Sequence, residues 1–154
     1  MLQKLKIVSL LSLVAFTIFS CNSAAQSDKN SGQKSDIQSI SYKHTFGRGG
    51  ATEIIATKDS LISSSVGGRV KDVPNFKKKM NADDWKKLVS TINISTLEKT
   101  ESGKGRGHYD GPDEIFEIKT SEKEYRLVNV PDSLQRKQLV SIQTLLQTLV
   151  SKEK

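Results

Sequence analysis

The sequence predicts an α+β domain: an antiparallel sheet of about five or six strands with two amphipathic helices on one of its faces. Three observations lead there. Apolar and polar residues alternate through 37–66 and again through 115–130, the apolar spacing lengthens to 3.6 residues over 82–93 and 134–150, and short polar turns join the strand runs. Strands joined by tight turns pair antiparallel, and helices apolar on one side only can cover one sheet face while solvent takes the other.

Ile40, Tyr42, His44 and Phe46 fall on one face of a strand near 37–46, which Gly47, Arg48, Gly49 and Gly50 break. Residues 52–57, the turn Lys58-Asp59-Ser60 and residues 61–66 read as a hairpin that ends at Gly67-Gly68. Pro74 argues against a central strand after that, whereas residues 75–80 suit an edge strand, where lysines oppose edge-to-edge association. Asn81 is the expected N-cap of a helix over 82–93, with Asp83 and Asp84 at the positive end of its dipole and Trp85, Leu88, Val89 and Ile92 on one stripe. Ile94 and Leu97 are expected to carry on into the core.

Residues 101–114 make a loop of about 14 residues containing Gly103, Gly105, Gly107, Gly111 and Pro112, a length at which loops are often functional. Residues 115–120, the turn Ser121-Glu122-Lys123 and residues 124–130 form another hairpin. Asp132 is the expected cap of the last helix, with Gln135 completing a weak capping box, and Leu139, Ile142, Leu146 and Leu149 are its buried stripe.

The chain has 154 residues, a net charge of +7 and 35% hydrophobic residues, which suffices for one domain and excludes a multidomain enzyme. One cysteine excludes an intramolecular disulfide, and with two histidines it leaves no Cys/His zinc cluster to expect. No metal and no cofactor is expected.

Residues 1–20 read as a targeting segment: Lys4 and Lys6 precede a 13-residue, largely apolar stretch from 7 to 19. As a helix that stretch spans roughly 20 Å, short of the ~30 Å hydrocarbon core. Its end, Ile18-Phe19-Ser20-Cys21, resembles the lipobox of bacterial lipoproteins. The resemblance implies that Cys21 is lipidated and becomes the first residue of a membrane-anchored, cell-envelope protein; two or more acyl chains anchor stably where one does not. Asn22, in place of an aspartate, favours the outer membrane. Residues 22–36 lack large apolar side chains and read as a disordered tether of about 50 Å when extended. Residues 37–154 are then a single folded domain, expected to be monomeric.

His44 reads as a half-buried structural residue. His108, Tyr109 and Asp110, followed by Gly111, Pro112, Asp113 and Glu114, bring an imidazole and three carboxylates together in sequence, but without the spacing of a calcium loop or a zinc-hydrolase helix. Asp110-Gly111-Pro112 is read as turn chemistry. Gly103-Lys104-Gly105-Arg106-Gly107 does not fit a nucleotide-binding loop. It is expected to be a flexible basic finger that joins Arg48 of the first glycine loop against an anionic partner, if both loops lie at one end of the sheet. Arg69, Lys71, Lys77, Lys78 and Lys79 form the strongest basic run, read as a solvated edge or as a patch for anionic lipid or polymer. Nucleic acid is not expected as a partner of an exported, tethered chain. No grouping of base, nucleophile and oxyanion donor is recognisable, so the chain is expected not to be an enzyme.

Gly49-Gly50 after the first strand, the mid-chain helix, Asp110 before a late strand and Pro131-Asp132-Ser133-Leu134 ahead of the closing helix together resemble the emfourin-type inhibitors of thermolysin-like metallopeptidases. The resemblance implies a non-catalytic protein-binding domain that inhibits a peptidase, using residues 46–51 and 102–113 as contact loops. Phe46, Arg48, Gly49, Gly50, Lys104, Arg106, His108, Tyr109 and Asp110 are the candidate contacts. The competing expectation is a structural envelope lipoprotein whose basic face rests on anionic surfaces.

Overall fold

The computed structural model describes residues 37–67, 73–106 and 111–152; Cys21, the leader and the tether lie outside them. Six strands, β1 (Ile37–Thr45), β2 (Ala51–Thr57), β3 (Ser60–Val66), β4 (Phe76–Lys79), β5 (Asp113–Thr120) and β6 (Glu124–Val128), form one sheet in the order β4-β3-β2-β1-β5-β6. Every neighbouring pair is antiparallel. With helices α1 (Ala82–Ser90), α2 (Ile94–Glu98) and α3 (Leu134–Ser151), this is the expected α+β fold, with a six-stranded sheet.

Two of the hairpins turn on the same device. Thr57 Oγ1 accepts from the backbone N–H groups of Asp59 and Ser60, and Thr120 Oγ1 does so from Glu122 and Lys123, so one hydroxyl satisfies two turn donors. Register then places Ala56, Ile40, Ile118 and Tyr125 in one row across the sheet, with Ile54, Tyr42, Phe116 and Leu127 in the next. All are buried, and they share one core with Leu88, Val89, Leu97, Leu139, Ile142, Leu146 and Leu149 from the helices. Apolar stripes therefore meet one sheet face, as the alternation requires.

Polar contacts fix the helices over that face. Gln143 of α3 donates to the Tyr42 hydroxyl at 2.9 Å, and the Tyr125 hydroxyl donates to Glu98 of α2 at 3.3 Å. The Gln138 side chain accepts from the Asn93 N–H and donates to the Asn93 carbonyl, clamping α3 to the start of α2. No helix among the described residues is long and apolar enough to cross a membrane.

Four of the departures from the expected boundaries have a visible cause. The helix expected over 82–93 stops at Ser90, because the Asn93 side chain accepts from Thr96 N–H and opens the separate helix α2. Two expected helices thus become three. Helix α3 is capped by Ser133, whose hydroxyl accepts from Arg136 N–H, one residue later than the expected Asp132. Strand β5 begins at Asp113, whose N–H donates to Thr45 Oγ1, and β6 stops at Val128 because Asn129 turns to φ +44°.

Candidate functional site

The β1–β2 turn is built by glycine. Phe46 N–H donates to the Gly50 carbonyl at 2.7 Å and Gly49 N–H to the Phe46 carbonyl at 3.0 Å, closing a short 3-10 turn over Gly47–Gly49. Gly50 has φ +124°, and a Cβ there would overlap the carbonyl oxygen of Val66 and stand 2.8 Å from Gly67 Cα. The turn is therefore pressed backbone to backbone against the end of β3. Phe46 is exposed at the tip, its ring edge-on to His44 with centroids 4.4 Å apart. His44 itself is half-buried, as expected.

The described start of the second glycine loop, residues 102–104, is anchored, although a flexible finger was expected from Gly103 onward. Gly103 N–H donates to the Val128 carbonyl at 2.7 Å, the Ser102 hydroxyl accepts from Val128 N–H at 3.0 Å, and Asn129 Nδ2 donates to the Lys104 carbonyl at 2.9 Å. Residues 102–104 thus form a strap along the outer edge of β6, and a side chain on Gly103 would overlap the Asn129 carbonyl. Asn129 is the clip: its Oδ1 accepts from Glu114 N–H at 2.8 Å and its Nδ2 also reaches Asp113 Oδ1 at 2.7 Å.

The strap brings the two loops together. A Cβ on Gly47 would stand only 3.1 Å from Arg106 Nη2, so the Arg106 guanidinium lies against the β1–β2 turn. Phe46, Arg48, Gly49, Gly50, Lys104 and Arg106 consequently gather at one end of the sheet. Arg48, Lys104 and Arg106 are exposed and make no ion pair among the described residues. Among the described residues four large apolar side chains are exposed, Phe46 at 39%, Val66 at 69%, Leu134 at 77% and Val140 at 44%. Phe46 and Val66 belong to this end, and Leu134 opens the helical turn that Arg136 ties to Glu114 beside it at 2.8 Å.

His108, Tyr109, Asp110, Arg69 and Lys71 lie outside the described residues. The lysine run does not form one face: alternation along the edge strand β4 puts Lys77 and Lys79 with Ile62 and Ser60, and Lys78 on the helix side near the Phe76 ring. Asp113 and Glu114, adjacent in β5, point to opposite faces, Asp113 to Asn129 and Glu114 to Arg136. No cluster of three or more His, Cys, Asp or Glu residues that could hold a metal occurs among the described residues. Asn129, Thr45 and Arg126 were not singled out in the sequence. Only Asn129 carried a signal, as a residue that tolerates positive φ just before Val130-Pro131.

Tyr42 sits away from the loops, under α3. Burial pushes its hydroxyl up to about 12, the Glu114 carboxylate adds to the rise, and Arg136 opposes it. The folded state thus holds this proton more tightly than the unfolded chain, whose tyrosines titrate near 10. The associated stability is fully present below about pH 10 and is lost as pH rises from 10 to 12. Urea unfolding at about pH 9 and pH 11.5 is expected to show a larger loss for the native chain than for Tyr42→Phe; parallel losses would contradict this account.

Compared with known proteins, the chain matches no family model and no curated protein.

Proposed function

We propose that this protein is a non-catalytic binding module held at the bacterial cell envelope, in the outer membrane, by a lipid on Cys21, and that it engages a partner protein through the end of the sheet where its two glycine-rich loops meet. The observation that carries this reading is the grouping of exposed Phe46 and Val66 with Arg48, Lys104 and Arg106, cations without an ion pair among the described residues, around a turn and strap held by hydrogen bonds and close backbone contact. Aromatic and arginine side chains on a pre-ordered surface favour protein association, because little conformational entropy is lost on binding. The divergent directions of Lys77, Lys78 and Lys79 favour this reading over a flat basic face on lipid.

The resemblance to emfourin-type inhibitors makes a thermolysin-like metallopeptidase the first partner to assay. The experiment is affinity capture from envelope extract with the full chain in detergent, beside Phe46→Ser/Arg48→Gln. A protein retained by the native chain and reduced at least tenfold by the double variant is expected, followed by an inhibition assay if it is a peptidase. Retention of anionic lipid alone, or equal capture by the variant, would overturn the reading.

A further inference from the structure

The helix-free face of the sheet carries a cleft next to the loop tips. Ile115 and Val128 are register partners on β5 and β6 and project from that face. Gly103 of the strap and the following Gly105 and Arg106 pass beside them, and with Arg126 they line a cleft of about 520 Å³. Volumes of about 300–1,000 Å³ are typical of ligand sites. The floor is aliphatic, the strap side is largely glycine backbone, and a guanidinium comes from each of two elements.

The guanidinium donors around this floor are only partly used, although Asp113 also lines the cleft. Arg106 makes no ion pair among the described residues. Arg126 uses Nε on Glu117 at 3.0 Å, and its terminal nitrogens make no hydrogen bond among the described residues. Lys43 is the other cross-strand neighbour of Ile115 and is itself opposite Glu53. Asp113, the remaining acid, is buried and accepts from Asn129. A complementary ligand therefore presents an aliphatic group between carboxylates. An extended chain does this, because every second side chain faces the same way.

We infer that the cleft takes an extended acidic segment of the partner protein, with one aliphatic side chain on Ile115 and Val128 and flanking carboxylates on Arg106 and Arg126. This rests on the protein-binding reading above and names the chemistry of its partner. Gly105 makes the site open: a Cβ there would lie 3.6 Å from Val128 Cγ1, in ordinary contact and over the cleft floor. A larger side chain at this position fills the cleft while leaving the strap's hydrogen bonds, which belong to residues 102–104, in place.

The test is a fluorescence-anisotropy titration of the full chain in neutral detergent with a labelled, end-blocked peptide of sequence Glu-Ser-Leu-Ser-Glu. Two counterparts carry Ser for Leu or Lys for both Glu, and phosphatidylglycerol vesicles form a separate arm. Saturable binding of the first peptide is expected. It should weaken about tenfold in either counterpart and in Arg106→Gln or Arg126→Gln, and disappear in Gly105→Leu at an unchanged melting temperature. Absence of peptide binding, equal binding by Gly105→Leu, or vesicle binding that Arg126→Gln weakens while the peptide does not bind would each overturn the inference. Partner capture reads the loop tips through Phe46 and Arg48, whereas this titration reads the cleft through Gly105 and Arg126, so a failure of the one is distinguishable from a failure of the other.

Discussion

Gly50→Val is expected to destabilise the domain by about 3–4 kcal/mol, the largest effect of any single change in the β1–β2 turn. At φ +124° a β-branched residue is far outside its allowed region, a strain of roughly 1–3 kcal/mol. The added Cβ also overlaps the Val66 carbonyl oxygen and crowds Gly67 Cα, so the turn must lift from the end of β3. That movement separates Ala51 from Val66, the last register pair of β2 and β3, and removes the wall against which Phe46 and Arg48 are displayed. Urea unfolding measures the loss. A change below 1 kcal/mol would mean that Gly50 and Gly67 do not hold the turn.

Asn129→Ala is expected to cost about 3 kcal/mol. The substitution removes the acceptor of Glu114 N–H and the donor to both the Lys104 carbonyl and Asp113 Oδ1, and it leaves Asp113, only 8% exposed, without that donor. Each buried group left unpaired costs about 1–3 kcal/mol. Alanine also takes φ +44° less readily than asparagine, so Asn129→Gly should recover part of the loss. Hydrogen exchange gives the local readout. The Gly103 amide, bonded to the Val128 carbonyl, is expected to exchange faster in the alanine variant, and unchanged protection there would show that the strap does not depend on Asn129.

The fold was legible because its information is local. Alternation in 37–66 and 115–130, the short polar turns at 58–60 and 121–123 and a 3.6-residue stripe through Leu139, Ile142, Leu146 and Leu149 each point to one element and agree with one another. Helix α2 was not legible: at five residues it is too short to show a period, and only Asn93 marks it. Alternation in β4 already implied that Lys78 opposes Lys77 and Lys79. The site divides in the same way. Each glycine-rich loop stood out by composition. Their meeting depends on β1 lying between β2 and β5, which sets Thr45 opposite both Ala51 and Asp113, and on Asn129 drawing the strap onto β6. Thr45 and Asp113 are 68 positions apart and Asn129 and Lys104 are 25 apart, so neither contact leaves a trace in either segment alone.

The most direct test of a single, partner-binding surface is photo-crosslinking in native envelopes. A photoreactive amino acid replaces Arg48, Arg106 or Lys87, the last an exposed residue of α1, the helix that follows edge strand β4. The account predicts one protein adduct of the same mass from positions 48 and 106 and none from 87. Adducts with lipid alone, different proteins at 48 and 106, or an equal yield at 87 would contradict it.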